Sequence, residues 1–386
     1  MDFDETPEQR QLRDAVAALG RRYGHKYYLE KAKSGGHTTE LWNEAGKLGY
    51  LGVSIPVEYG GGGGGITELA IVCEELSTAG CPLLLLVVSP AIVATILARH
   101  GTEAQRQRYL PGIADGTTKV VFAITEPEAG SNFHRLGTVA RREGDGWLLS
   151  GRKCFISGVD QAQHVLVVAR TADEATGRLK PALFLVPTDA PGLTRSQLDM
   201  EIVAADKQFL LYFDDVRLPA DALVGEDPDV GLPALFAGLN PERITIAAGS
   251  VGTGRYALSR AASYASTRSV WGRPIGTHQG VAHPLAHAQI QVELAGLMVA
   301  KAAARYDAGR DLEAGAAANM AKYAAAEAAA LAVDTAIQSM GGNGMTTEYG
   351  VATLLGMTRA TRIAPVSREM ILNYIAQHVL GQDRSY

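Results

Sequence analysis

The first 115 residues carry apolar side chains at the spacing of amphipathic α-helices. In residues 7–23 the apolar positions recur every three or four residues, with charged side chains between them. Residues 38–52 and 67–80 repeat the pattern, and the former reaches a glycine, a common helix terminator. The pattern predicts an N-terminal region made of helices.

Beyond residue 118 the pattern changes to short apolar runs rich in β-branched and aromatic residues. These runs lie at 119–127, 147–156, 164–171, 181–187 and 208–216. Polar turn sequences separate several of them. Short strands at this spacing are typical of a small antiparallel barrel or sandwich.

Helical periodicity returns after residue 230. Residues 314–336 contain 13 alanines in 23 positions, and alanine is the strongest helix former. This region predicts a four-helix bundle. The whole chain is therefore predicted to be a multi-domain α+β protein with an N-terminal helical domain at 1–118, a middle antiparallel β-barrel domain at 119–228 and a C-terminal bundle at 229–386.

Composition narrows the possible functions. The 386 residues carry 36 basic and 41 acidic side chains, a net charge of −5 without a basic block, so nucleic-acid binding is not expected. The three cysteines include no C-x-x-C pair, which argues against a disulfide framework and a structural zinc site. His283 and His287 lie one helical turn apart but have no acidic third ligand nearby, so no metal site is predicted.

Two segments bear on location. The N-terminal sequence is acidic and polar, unlike a signal peptide. The uncharged run 81–98 is interrupted by Ser89 and Pro90, and it is shorter than the ~20 apolar residues of a membrane-spanning helix. It predicts a buried helix pair, and the protein is expected to be cytoplasmic.

The segment NPERITIAAG, residues 240–249, opens an apolar helical pattern with a charged pair. Asn240 is a favoured N-cap, Pro241 suits a first helical position, and Glu242 in the first turn would complement the helix dipole. A structural role therefore explains Glu242 without any chemistry. The alternative is that Glu242 is a catalytic carboxylate.

Common nucleotide-binding and hydrolase motifs are missing. The sequence GSVGTG at 249–254 has the wrong spacing for a dinucleotide-binding fingerprint, and neither a P-loop nor G-x-S-x-G occurs. Residues 122–132 instead read as a strand that enters a turn with small residues. Such a turn either cradles a phosphate or polar ring edge through its N–H groups, or is an ordinary loop.

Five segments, in order, resemble the acyl-CoA dehydrogenase family: FAITEPEAGS, GRKCFISG, PERITIAAGSVG, RSVWGRPIGTHQ and AIQSMGGNG. The helix–β–helix order matches the family's fold, so the resemblance covers the whole chain. It implies an FAD-dependent oxidoreductase of fatty acid metabolism that converts an acyl-CoA to its trans-2-enoyl product. It also implies a homotetramer, a dimer of dimers, with electron-transfer flavoprotein as the usual electron acceptor.

The resemblance also implies site residues. Around the flavin and its phosphates it places Phe122, Ile124, Thr125, Gly130, Ser131, Phe155 and Ser157. Arg268, Trp271, Gln279, Gln338, Gly341 and Gly342 match segments that reach the FAD of a neighbouring subunit. Ser367 and Glu369 match a Thr and a Gln near the FAD, and Glu369 departs from the family because a carboxylate cannot donate as an amide does. Ser131 and Arg243 are expected to contact the substrate.

The catalytic base departs from the commonest family pattern. Counting from GGNG, the motif that holds the usual glutamate falls on residues 364–367, and Pro365 occupies the glutamate position. A branch that includes isovaleryl- and long-chain-type enzymes carries its base in a Glu-Arg pair that aligns with Glu242 and Arg243. The resemblance therefore implies that Glu242 takes the α-proton.

Two alternatives stay open. The first alternative to an acyl-CoA dehydrogenase is a non-catalytic FAD-binding subunit of a hetero-oligomer, as the loss at Pro365 suggests. The second is a flavin oxidase or monooxygenase on the same fold.

Overall fold

The computed structural model describes residues 4–173 and 176–384. Its N-terminal region is helical. Thr6 caps the first helix, because its hydroxyl accepts from the Gln9 N–H while the Gln9 side chain accepts from the Thr6 N–H. The helices are α1 (Pro7–Ser34), α2 (Thr39–Lys47), α3 (Ile66–Thr78), α4 (Leu84–Leu86), α5 (Thr95–His100) and α6 (Glu103–Asp115).

The apolar run at 81–98 forms one helical rod, not the expected helix pair. A π-helical stretch, Val87–Ala94, joins α4 to α5 without a break. Pro90 lies inside it, where its missing N–H disturbs the regular α-helical ladder. The neighbouring Ser89 is fully buried, and its hydroxyl accepts from the Val120 N–H at 3.2 Å. This bond fixes the rod against the first strand of the sheet.

The middle region is one seven-stranded curled sheet. Its strands run in the order β1-β4-β2-β3-β7-β6, and β5 pairs with β4. They are β1 (Val120–Ala123), β2 (Val139–Glu143), β3 (Gly146–Ser157), β4 (His164–Ala172), β5 (Leu179–Pro187), β6 (Leu193–Leu198) and β7 (Gln208–Leu218).

The sheet differs from the predicted antiparallel barrel in its pairing. β4 runs parallel to both β1 and β2, so the sheet is mixed. A strand's apolar pattern indicates which residues form it but not which strand lies beside it, and β1 enters directly from a helix instead of a hairpin. The apolar runs also omitted β2 and β6, because most of their side chains are exposed.

The C-terminal region is built on three long helices. Two shorter helices pack against the third long helix, α9, and complete the predicted helical bundle. A two-stranded β8–β9 ribbon follows α7. The elements are α7 (Gly231–Thr267), β8 (Ser269–Val270), β9 (Arg273–Pro274), α8 (Gln279–Asp307), α9 (Asp311–Met340), α10 (Leu354–Ile363) and α11 (Arg368–His378).

The predicted helix start at Asn240 is wrong. α7 begins at Gly231 and continues through Pro241, so Glu242 lies in the second quarter of a 37-residue helix and not in a first turn. Proline has no N–H to donate to the carbonyl four residues earlier. The hydroxyl of Tyr306 on α8 donates to that carbonyl, Ala237 O, at 3.2 Å. A hydrogen-bond donor from α8 therefore satisfies this carbonyl, and α7 continues through Pro241.

One hydrophobic core extends through all three regions. The predicted boundaries, 118/119 and 228/229, lie in the connections between α6 and β1 and between β7 and α7. They stay predictions. Within the described ranges, no helical segment has the length and hydropathy that a membrane span requires.

Candidate active site

Glu242 lies where α7, α9 and α11 converge. A Cβ placed on Gly315 of α9 would lie 3.8 Å from the Asn240 side chain of α7 and from the Tyr374 hydroxyl of α11. Glu242 itself is half-buried. Among the described residues, its carboxylate has neither a hydrogen bond nor an ion pair. A carboxylate without partners in such a place is free to accept a proton.

Burial controls the acidity of Glu242. It raises the pKa of this carboxyl to about 7, against the opposing positive charges of Arg243 and Lys322. The position of Glu242 in its helix explains why the effect of burial on its pKa is the largest. In mid-helix Glu242 gains little from the dipole, which acts within the first turn.

Arg243 is half-buried, and its guanidinium has few partners. Its Nη1 donates to Asn240 Oδ1 at 3.1 Å, but its buried Nε has no partner among the described residues. Burial lowers its pKa, while the neighbouring Glu242 and Tyr374 oppose that shift. Because arginine keeps its charge in proteins, Arg243 leaves an unpaired N–H donor and a positive charge at the site. This suits the predicted contact with an anionic or carbonyl group of a substrate.

Lys322 on α9 belongs to the same cluster, and the sequence analysis did not find it. Its side chain is 1% exposed, and its ammonium donates to the Val366 carbonyl. Burial lowers its pKa to about 8. The sequence did contain a signal that Lys322 is buried. It lies four residues after Ala318 and three before Ala325, on the buried stripe of an alanine-rich helix.

The segment 364–367 carries no acidic group. Pro365 and Val366 are half-buried, and the Ser367 hydroxyl caps α11 by accepting from the Met370 N–H at 3.3 Å. Glu369, in the first turn of α11, has a side chain 75% exposed beside Arg368. Lys322 therefore connects the segment that lost the usual base to α9, and its charge acts on Glu242 of α7.

The predicted flavin-facing residues of the middle region come from two adjacent strand ends. Thr125, just after β1, is bound to β3 on both sides: its carbonyl accepts from the Cys154 N–H at 2.9 Å and its hydroxyl donates to Cys154 O at 2.5 Å. Phe122 and Ile124 precede it. The Ser157 hydroxyl at the end of β3 pairs with the Gln208 side chain. The structure thus brings Thr125 close to the strand that carries Phe155 and Ser157.

A buried ion pair supports these strand ends. Lys153 is 0% exposed, and its ammonium donates to Glu126 Oε1 and to Ile124 O, both at 2.8 Å. Glu126 also accepts from the Thr138 N–H at 3.0 Å. Both charges are thereby satisfied by hydrogen bonds, and the carbonyl preceding Thr125 is held in place.

Phe155 has two features that are typical of a residue in contact with a bound ligand. Its ring is 61% exposed, and its φ of 57° lies in the left-handed region, which is costly for an aromatic residue. Gly130 and Ser131, in the turn after β1, are exposed as well, and a Cβ placed on Gly130 would meet no atom within 4 Å. An aromatic face, two hydroxyls and an open glycine turn fit a flavin ring with its phosphates.

A second group of predicted residues lies at the far ends of α7 and α9. Trp271, between β8 and β9, is 88% exposed, and its φ is 54°. The Asn343 side chain donates to the Tyr264 hydroxyl at 2.8 Å, which joins the segment after α9 to the last turns of α7. The other predicted members are all exposed: Arg268, Gln279, Gln338, Gly341 and Gly342.

Three models of the acyl-CoA dehydrogenase family match the chain. The N-terminal domain model covers residues 6–117, the middle domain model 121–216 and the C-terminal domain model 229–380. The chain belongs to the acyl-CoA dehydrogenase family. The predicted family, fold class and type of oxidoreductase are confirmed.

Relatives agree with this assignment. The chain is 60% identical to the acyl-CoA dehydrogenase FadE12 of Mycobacterium tuberculosis over 384 residues, 100% of this chain and 99% of the relative. The glutaryl-coenzyme A dehydrogenase solved with glutaryl-CoA superposes with a TM-score of 0.93 at 30% identity, covering 100% and 98% of the two chains. A Mycobacterium smegmatis glutaryl-CoA dehydrogenase solved with FADH2 superposes at 0.89 with 26% identity, covering 99% and 97%.

A separate groove of this acyl-CoA dehydrogenase family member lies away from these residues. It has a volume of about 1150 Å³ between α8, α9, α10 and α11, and none of the predicted site residues lines it. Among the described residues no group of three or more His, Cys, Asp or Glu side chains is placed to hold a metal ion. The individual site assignments stay predictions.

Proposed function

We propose that this protein oxidises an acyl-CoA thioester to the trans-2-enoyl-CoA, with FAD as its cofactor and Glu242 as the base. The observation that carries the proposal is the state of Glu242: half-buried, without a hydrogen bond, and with a pKa raised to about 7. A base with a pKa near the working pH combines sufficient basicity with a useful ionised fraction. Pro365 cannot take this role.

The chain's own residues divide the remaining tasks. Glu242 takes the α-proton as the α-carbon–hydrogen bond breaks. In this proposal the Thr125 and Ser157 hydroxyls and the exposed face of Phe155 contact the flavin ring, and Ser131 and Arg243 make polar contacts with the substrate. When bound, FAD accepts the hydride that leaves the β-carbon.

The Glu242→Gln variant tests this function. We expect it to bind FAD and remain yellow, but to lose bleaching of the flavin by substrate, because an amide cannot accept the proton. The measurement is flavin absorbance under anaerobic conditions with a panel of straight and branched acyl-CoAs. The matched control is Glu30→Gln, the same change at an exposed position of α1, which should bleach like the wild type. Full bleaching by Glu242→Gln would remove Glu242 from the mechanism.

The same panel separates the alternative functions. A non-catalytic subunit, suggested by Pro365, would show no substrate-dependent reduction in the wild-type chain. An oxidase or monooxygenase would reoxidise rapidly in air, whereas a dehydrogenase would hold its electrons for electron-transfer flavoprotein, our proposed acceptor.

We also propose a homo-oligomer in which one subunit completes the FAD site of another, built as a dimer of dimers. The exposed Trp271, in a strained backbone conformation, supports this. Arg268, Gln279, Gln338, Gly341 and Gly342 accompany it, and a Cβ placed on either glycine would meet no atom within 4 Å. Ala364, in the segment that lost the usual base, has a small side chain that leaves room for a bulky acyl group. We also keep the prediction that the protein is cytoplasmic.

A further inference from the structure

Two cations, Arg243 and Lys322, share the space between α7, α9 and α11 with one carboxylate, Glu242. Arg243 is held by Asn240, and Lys322 donates to Val366 O. Among the described residues, no ion pair connects either of them to Glu242. The charges therefore act on Glu242 through space.

Glu242 acts more strongly on the charge of Lys322 than the other carboxylates that face it. The charged groups that face it are Glu242 and Arg243 from α7, Glu327 from its own helix and Glu369 from α11. Glu327 already pairs with Arg362 at 2.5 Å and lies 3.6 Å from Arg368, and Glu369 is exposed. Glu242, which has no ion pair among the described residues, is the carboxylate whose charge Lys322 is best placed to offset.

We propose that Lys322 is a positioning residue for proton abstraction: it ties the 364–367 segment to α9 and supplies the positive charge that keeps Glu242 ionised at neutral pH. This inference rests on the proposed role of Glu242 as base. A half-buried carboxylate without hydrogen bonds is stable as an anion only if nearby cations offset its lost hydration. Arg243 supplies one such charge and Lys322 the second.

The reaction itself uses this arrangement. Before proton transfer the cluster of Glu242, Arg243 and Lys322 carries one net positive charge. As the α-proton moves to Glu242, the carboxylate becomes neutral and negative charge develops on the substrate. The two cations then face that developing charge in a poorly solvated site, where electrostatic stabilisation is strongest.

Lys322→Gln separates the two tasks of the lysine. The amide can still donate to Val366 O but carries no charge. In the FAD-loaded full-length protein, we expect Lys322→Gln to move the acid limb of the flavin-bleaching rate upward by about one pH unit, which is roughly tenfold slower reaction below the limb. The rates should converge near pH 9, where wild-type Lys322 has lost much of its charge. The probe is octanoyl-CoA or isovaleryl-CoA, whichever reduces the wild-type flavin, followed by anaerobic stopped-flow absorbance.

Two further variants and one spectroscopic measurement test whether the shifted limb results from the charge of Lys322. Lys322→Arg should restore the wild-type limb, and Lys301→Met, an exposed position on α8, should leave it unchanged. The carboxylic-acid infrared band that Glu242→Gln removes should titrate at higher pH in Lys322→Gln than in the wild type, without any substrate. This readout requires only folded, FAD-loaded protein.

The outcomes are distinguishable. Bleaching by Glu242→Gln contradicts Glu242 as the base and with it the proposed function. An inactive Glu242→Gln together with a rate loss in Lys322→Gln that is equal at every pH, and an unshifted infrared band, contradicts only the role of Lys322. Such a result would make the lysine a structural tie to Val366.

Discussion

At the scale of single residues, Glu242 shows how burial turns an ordinary carboxyl into a base for neutral pH. An exposed glutamate is fully ionised at pH 6 but is a weak base. Burial destabilises the anion and raises the pKa of Glu242 to about 7, although Arg243 and Lys322 oppose the shift. Burial therefore increases the proton affinity of Glu242, and the two cations limit the loss of its ionised form.

A pH dependence follows from this shift. The active form of Glu242 is the carboxylate, so for a raised pKa the rate of flavin bleaching should rise with pH through about 7 and level off above it. Around pH 6 the rate should be about a tenth of the plateau. Single-turnover stopped-flow between pH 5.5 and 9 measures the limb, with FAD absorbance as the check that the cofactor stays bound. A rate that is flat from pH 5.5 to 8 would show that the carboxyl titrates in the ordinary range of glutamate.

At the scale of secondary-structure elements, the continuity of α7 decides where Glu242 points. A proline inside a helix leaves the carbonyl four residues earlier without a donor, and here Tyr306 from α8 supplies one. Tyr306 is 4% exposed, and the Arg99 guanidinium lies 4.5 Å from its ring centre. The turn that carries Glu242 is thus held from a neighbouring helix.

A double-mutant cycle tests this support. Tyr306→Phe keeps the ring but leaves Ala237 O without a partner, and we expect a loss of about 1–3 kcal/mol in the free energy of unfolding. In a Pro241→Ala background the restored N–H satisfies the same carbonyl, so Tyr306→Phe should cost markedly less. Denaturant unfolding of the four proteins gives the coupling. Equal costs in both backgrounds would show that the hydroxyl does not replace the missing donor.

Some elements could be predicted from sequence and others could not, for physical reasons. Amphipathic periodicity and β-branched runs report burial, so α3, β4 and α9 were found. β2 and β6 were not, because their exposed side chains leave no apolar run. The helix start at Asn240 was misread because Asn-Pro-Glu satisfies every local rule for a first turn, and only a donor from another helix, Tyr306, shows otherwise.

The site residues also divide into those that the sequence could predict and those that it could not. Motif segments indicated Glu242, Thr125 and Phe155, because their neighbours in sequence carry the resemblance. Lys322 lies 80 positions from Glu242 in a helix of alanines, and only the packing of α9 against α7 makes them neighbours. The burial of Glu242 is likewise a property of three converging helices and not of its local sequence.

At the scale of the whole molecule, the predicted FAD contacts fall into two groups, which we propose serve different subunits. One group lies around the ends of β1 and β3, and the other lies around the ends of α7 and α9, where Arg268 and Trp271 are exposed. A closed two-fold interface would bring the second group of each subunit to the first group of its partner. An FAD site would then need residues from two chains.

Subunit complementation tests this assembly. A Glu242→Gln chain lacks the base but offers an intact Arg268 to its partner, whereas an Arg268→Glu chain keeps the base but repels the partner's phosphates. Neither chain should turn over alone. If both are co-expressed with different tags, half of the dimers are mixed, and each contains one site without either change, so about a quarter of wild-type activity should return. Arg273→Glu, an exposed arginine of the same ribbon, in place of Arg268→Glu is the control and should be active by itself. If each site belonged to one chain, the mixture would be as inactive as its components, because no exchange of partners could put an intact Glu242 and an intact Arg268 in the same site.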